Sequence, residues 1–357
     1  MAVGLSACQK PEDQSELPPV VWEGDHLEFG VSEQAGEYCA GTPAYLDGYV
    51  GGLLEILDRP PLDKKVRYSF LAPEEVPDSE KGVLGRSTAR GVVSGSPVLE
   101  HELVHAVLRP NGLTQPLLEE GLAEFFGGDG YSSFRHDTDR PLEEALAAVD
   151  DADLPGEYYG VAGRFVSYID TTFGRQALLE LEDQLGPWSS TTDMETAFAT
   201  KTAVPFSSAV SEFEALMACP QKIFRDPTAA CQVAEPLEWC DGSDAAEHSV
   251  ALTCNSPDVL GVRDREIWTY RVFTIPRPGS YGLFLSPTID PVEGYVEIKQ
   301  CSGGCESFLL HELIPTSLSP ATWFDIEDPG DYILKIAVQW PHDEVTVNFQ
   351  LLGVDCN

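Results

Sequence analysis

Two histidines four residues apart, with a glutamate directly after the first, constrain this chain more than any other feature: His101-Glu102-Leu103-Val104-His105. Only a helix puts both imidazoles on one face, one turn apart. Rings so placed can share one divalent ion, Zn²⁺ above all, and Glu102 then stands where it can take a proton from a water that the ion activates. His311-Glu312-Leu313-Ile314-Pro315 begins the same way but has proline where a second histidine would be. A proline there does not continue a helix, so that stretch reads as strand or loop.

Two histidines do not fill a metal's coordination shell, and the sequence downstream carries acids at helical spacing. Segment 116–126 reads Pro-Leu-Leu-Glu-Glu-Gly-Leu-Ala-Glu-Phe-Phe. Pro116 suits a first helical turn, with Thr114 as the cap. Leu118, Leu122, Phe125 and Phe126 form a buried stripe. Glu120 and Glu124 share a face beside it, while Gly121 and Ala123 are small enough for two helices to approach closely. Glu119 is the rival third ligand, about 100° around an ideal helix from Glu120. A solvated acidic face is the bland alternative.

His-Glu-Leu-Val-His followed by a helix with Glu-Gly-Leu-Ala-Glu resembles the gluzincin metallopeptidases, most of all the short-spacing bacterial peptidase MA-like proteins. The resemblance covers roughly 25–215. It implies that Glu120 is the third zinc ligand beside His101 and His105, and that Glu124 holds a ligand histidine by its other ring nitrogen. It implies a following helix, matched by Tyr159-Gly-Val-Ala-Gly-Arg-Phe165, and an edge strand beside the cleft, matched by Arg90–Ser94. A group steadying the oxyanion is also implied; Tyr159 comes first, with Tyr158 and His136 behind it. The expected activity is hydrolysis of peptide bonds in a peptide or protein substrate, with Glu102 as general base.

Charge and cysteines frame where this happens. Fifty-nine acids against 22 bases give a net charge of −37, which argues against nucleic acid as a partner. Leu5-Ser6-Ala7-Cys8 looks like a bacterial lipobox, followed by a polar, proline-rich tether to Pro19. Only Met1 to Leu5 precede it, shorter than a signal peptide's apolar stretch, so the expectation is a truncated leader with Cys8 as the lipidated residue and sole membrane attachment. The other eight cysteines suggest disulfides and export. Cys301-Ser-Gly-Gly-Cys305 is the expected local bridge.

The hydrophobic pattern gives an α+β chain: a zincin-like peptidase domain followed by a small antiparallel β-sandwich. We expect a signal and tether over 1–19, the peptidase domain over 20–220, a Cys/Pro-rich linker over 221–240 and the sandwich over 241–357. Strands are expected at 20–35, 66–72 and 90–94, and helices at 43–58, 141–149, 158–184 and 205–217. In the sandwich, alternating runs mark 267–273, 280–285, 294–298, 332–338 and 345–351. The Pro-Gly-Ser-Tyr and Pro-Gly-Asp-Tyr turns resemble pre-peptidase C-terminal domains. The alternative to an endopeptidase is a non-catalytic metal-binding surface lipoprotein that recognises partners through the sandwich. An aminopeptidase ranks third, because Gly91–Pro97 lacks an acidic residue to anchor a substrate amine.

Overall fold

The computed structural model describes residues 17–77, 84–127, 140–149, 153–216, 225–237, 246–287, 294–302, 322–341 and 345–352. Cys8, His136, Cys305 and the 311–315 stretch lie outside these residues. The fold is α+β, with helices concentrated between a first sheet and a C-terminal pair of sheets.

The first sheet runs β1 (Val20–Glu23), β2 (Leu27–Val31), β3 (Val66–Phe70), β5 (Gly91–Ser94), β4 (Gly85–Thr88). Strands β2, β3 and β5 are parallel, with antiparallel β1 and β4 on the flanks. The helix joining β2 to β3, α1 (Thr42–Ile56), buries Leu46, Tyr49, Val50, Leu53 and Leu54, the stripe its spacing predicts. The expected edge strand, 90–94, is interior. The edge is β4, whose Gly-Arg-Ser-Thr sequence carries no apolar alternation to mark it.

Helix α2 (Glu100–Leu108) follows β5 directly, and α3 (Pro116–Phe126) returns against it. Gln115, not Thr114, caps α3, accepting from the amides of Leu117 and Leu118. Thr114 is instead turned toward the carbonyls of Glu182 and Leu185. Then come α4 (Leu142–Ala148), α5 (Tyr159–Phe173), α6 (Arg175–Gln184), α7 (Thr191–Thr202) and α8 (Phe206–Ala215). The expected single helix over 158–184 is two, divided at Gly174, whose φ of +87° ends α5. Helix α7 has no counterpart in the periodicity, because it buries only Met194, Ala197 and Phe198. Its capping box, Ser190 with Asp193, was the available signal.

Residues read as linker are structured. Helix α9 (Thr228–Val233) packs on α1, and β6 (Glu235–Pro236) runs parallel to β9 (Glu266–Ile275). One sheet of the C-terminal part is β11 (Gly294–Gln300), β13 (Gly330–Gln339), β9, β6, with β8 (Leu260–Arg263) also on β9. The other is β12 (Thr322–Ile326), β10 (Gly279–Pro287), β14 (Val345–Leu352), β7 (Ala246–Leu252). Both Pro-Gly-x-Tyr turns share one lock: Tyr281 and Tyr332 each donate to the carbonyl four residues upstream, Arg277 and Asp328, at 2.6 Å.

The two halves share packing. Trp268, Tyr270, Ile333 and Ala337 of the sandwich belong to the same apolar cluster as α1, α2 and α3. Disulfides join Cys39 to Cys254 and Cys231 to Cys301. The second overturns the expected Cys301–Cys305 bridge: α9 brings Cys231 to the end of β11, and Thr228 of the same helix donates to the Cys301 carbonyl. Two disulfides mark an exported, non-cytoplasmic protein. No helix among the described residues is long and apolar enough to cross a membrane.

Helices α3 and α5 meet at Gly121, where an added Cβ would lie 2.7 Å from the Ala162 carbonyl oxygen and from Val166. Backbone cannot swing aside, so the clash falls near the upper end of overpacking costs, about 3 kcal/mol. Better helix propensity returns only about 1 kcal/mol. Gly121→Ala is therefore expected to lose about 2 kcal/mol net in denaturant unfolding; an unchanged midpoint would show that the helices part freely.

Candidate metal centre

The site is built by the close approach of α2 and α3. Gly127, just past α3, lies so near α2 that a Cβ there would come within 2.8 Å of the His101 Cα. At that separation one face of α3 engages both histidines. His101 Nε2 is 3.2 Å from Glu120 Oε2 and 3.2 Å from His105 Nε2, and His105 Nε2 is 3.4 Å from the same Glu120 oxygen. One turn on, Glu124 Oε1 lies 3.2 Å from His101 Nδ1. Glu119 points behind His105, its Oε1 3.6 Å from Nδ1. Glu119 thus faces the back of a histidine, whereas Glu120 faces both front nitrogens.

This arrangement fits a divalent cation on two counts. Each Nδ1 faces a carboxylate, Glu124 behind His101 and Glu119 behind His105, and both Nε2 atoms are turned to one spot together with a carboxylate oxygen. Three such atoms converging on one point need a proton or a cation among them. Their spacing also suits one: a tetrahedral ion with arms of about 2.0–2.1 Å sets its donors about 3.3–3.4 Å apart. Among the described residues, His101, His105 and Glu120 are the group of ligand atoms close enough to hold an ion.

The charges of the three groups are coupled. Burial opposes a charge on His101, yet Glu120 and Glu124 outweigh it and lift the imidazole's pKa to about 10. His105 is raised as well, burial again being overcome, here mainly by Glu120. Glu120 is buried, which favours its neutral form, but His105 and His101 bring its pKa down to about 2. Imidazoles and carboxylate thus stabilise one another's charged forms. The raised His101 stabilises the fold fully below pH 6.5 and ceases to do so as pH climbs toward about 10. The lowered Glu120 stabilises it above pH 4.5 and stops as pH falls toward about 2.

A cleft of about 340 Å³ opens over the triad. Glu102 lines it, half-buried, beside the imidazoles. Tyr159, at the start of α5, also lines it, its ring parallel to His101 at 10° with centroids 5.7 Å apart. Burial first, then Glu120, Asp153 and Glu102, hold the Tyr159 hydroxyl well above the ordinary tyrosine range, so it stays a proton donor. Tyr158 turns elsewhere, its ring under Arg140.

Strand β4 lines the cleft too, through Gly85, Arg86 and Ser87. Arg109 fastens it, donating to the Ser87 carbonyl at 3.0 Å. Gly85 lets it pass close: a Cβ there would sit 2.3 Å from Leu99 and 3.3 Å from Glu102. Sequence reasoning missed Arg86, Arg109 and Asp153. Arg109, directly after α2, was the one findable from its position.

No protein-family model matches the chain, and none of the curated proteins compared does. Among solved structures it is similar to PliG of Salmonella Typhimurium, a periplasmic inhibitor of g-type lysozyme, over 32% of this chain and 95% of that one, at 17% identity and a TM-score of 0.21. A mutant PliG of Escherichia coli is similar over 33% and 96%, at 11% identity and a TM-score of 0.18. Likeness of this degree carries no argument about this chain's fold or function.

An ion entering the triad must displace the proton that His101 holds up to about pH 10. Apparent affinity for zinc is therefore expected to climb about tenfold per pH unit or more between pH 6 and 8. Titration calorimetry in buffers of different ionisation enthalpy should show proton release; a pH-independent affinity would count against this site.

Proposed function

We propose that the protein is an exported zinc-dependent peptidase of gluzincin type. The observation that carries the reading is the triangle of His101 Nε2, His105 Nε2 and Glu120 Oε2, with edges of 3.2–3.4 Å, opening on a cleft that Glu102 and Tyr159 also line. Zinc bound there supplies Lewis acidity toward a carbonyl and makes a water a competent nucleophile near neutral pH.

The chain's own residues would divide the remaining work. Glu102 takes the proton of the attacking water on its carboxylate and delivers it to the departing amine nitrogen. Tyr159 donates its hydroxyl to the oxygen that gains negative charge in the tetrahedral transition state. Glu124, 3.2 Å from His101 Nδ1, would take that proton once the site is loaded and so orient the ring, while Glu119 stands 3.6 Å behind His105. Strand β4, at the sheet edge beside the cleft, is suited to pair with an extended peptide. Lipid attachment at Cys8 belongs to this proposal as the means of holding the enzyme at the cell envelope.

The test is hydrolysis of a peptide library by the zinc-loaded protein. Glu102→Gln should lower kcat/KM by about 10²–10⁴-fold while zinc stays bound in near 1:1 ratio. Tyr159→Phe should lower kcat with little change in KM, as expected for an interaction made only in the transition state. Absence of turnover with zinc fully loaded would favour the non-catalytic metal-binding reading instead. Comparing free with N-blocked peptides separates endopeptidase from aminopeptidase action.

A further inference from the structure

We propose that Arg225 is a positioning residue for the ligand His101, acting through Glu124, so that the segment from 225 to 231 belongs to the metal centre. The inference rests on the zinc reading above and extends it one step outward from the ligands. Arg225 Nη2 lies 2.8 Å from Glu124 Oε2, and the two side chains are 3% and 2% exposed. The other oxygen of Glu124 faces His101 Nδ1 at 3.2 Å. One carboxylate thus bridges a guanidinium and a ligand imidazole.

That bridge has a defined effect. A carboxylate gripped on one oxygen by a buried cation keeps its charge and its rotamer. Held so, it can accept the Nδ1 proton of His101 from one side, which would leave the Nε2 lone pair free for a metal. Taking the guanidinium away removes a buried cation that offsets the charge of Glu124, and loosens the imidazole with it.

Arg225 is itself held in place. The Asp226 amide donates to the Phe125 carbonyl at the end of α3, at 2.8 Å. The Asp226 carboxylate pairs with Arg175 at 2.6 Å and accepts from the Thr228 amide at 2.8 Å. Thr228 Oγ1 donates to the Cys301 carbonyl at 2.7 Å, and Cys231 is bonded to Cys301. A segment stapled at one end to the metal helix and at the other to the sandwich is built to hold one side chain steady.

The test strips the full-length protein, reloads it with zinc alone and measures affinity by competition with a chromophoric chelator, alongside unfolding of the metal-free forms. Arg225→Met is expected to weaken zinc binding about tenfold or more. Arg225→Lys, which keeps a cation, should recover most of that loss. In a Glu124→Gln background, Arg225→Met should add little, because the relay is already cut. Should Arg225→Met alone fail to fold, the double variant removes both charges and its comparison with Glu124→Gln decides the matter. Parent-like affinity in Arg225→Met, or losses that simply add in the double variant, would overturn the inference. A parent that takes up no zinc sinks the peptidase reading and this inference together, whereas zinc bound equally by parent and variants sinks this one alone.

Discussion

Two imidazole nitrogens and a carboxylate oxygen aimed at one point organise this structure. The three atoms lie 3.2–3.4 Å apart, a spacing that calls for a proton or a cation among them. The fold sustains it through packing. Gly127 lets the end of α3 touch the backbone of α2, Gly121 lets α5 press on the other side, and the Tyr49 hydroxyl of α1 donates to the Phe126 carbonyl. Each contact removes freedom that the helices would otherwise use to separate these atoms.

Dense packing buries charge, and the chain meets that cost with partners from far along its length. Glu100, fully buried directly before His101, accepts from Tyr45 at 3.3 Å and lies 3.8 Å from Arg263 of β8. Glu124 has Arg225. Cys39 is bonded to Cys254, and Thr42 donates to the Gly261 carbonyl. Residues beyond 220 therefore reach both helices of the triad, Arg263 at α2 and Arg225 at α3. The sandwich is joined to the half that carries the triad as structure as well as by chain, because a buried carboxylate left without its arginine costs about 3–5 kcal/mol.

The parts of this legible in the sequence are those that depend on local periodicity. The His101/His105 pair, the α3 stripe and the α1 stripe follow from 3.6-residue geometry alone, and Glu120 with Glu124 follows from the same four-residue step. Elements with little apolar content escaped: β4 is Gly-Arg-Ser-Thr, and α7 buries three side chains in twelve. Gly174 divides a run that periodicity joined, since a φ of +87° leaves no trace in hydrophobic spacing. Pairings across long separations were beyond reach for a different reason. Cys301 has a near neighbour in sequence at Cys305, and only the placement of α9 shows that Cys231 takes it. Arg225 lies in a Pro- and Cys-rich stretch that composition assigns to a linker, and nothing local reveals a partner 101 residues away.

The net charge of −37 and the triad would act on a cation in different ways. A strongly negative molecule raises the concentration of every cation near its surface, with no preference among them. Selection must come from the donor set. Acidic clusters of oxygen alone suit calcium or magnesium, whereas two imidazoles with one carboxylate suit zinc and its transition-metal neighbours. On the proposed reading, the field would gather cations and the triad would sort them. Burial sharpens the sorting, because the ligand atoms sit where bulk screening is weak, while the 59 acidic side chains are spread over the whole sequence. Removing surface acids should slow metal capture without changing which metal is held, whereas exchanging one imidazole for a carboxylate should change the metal itself.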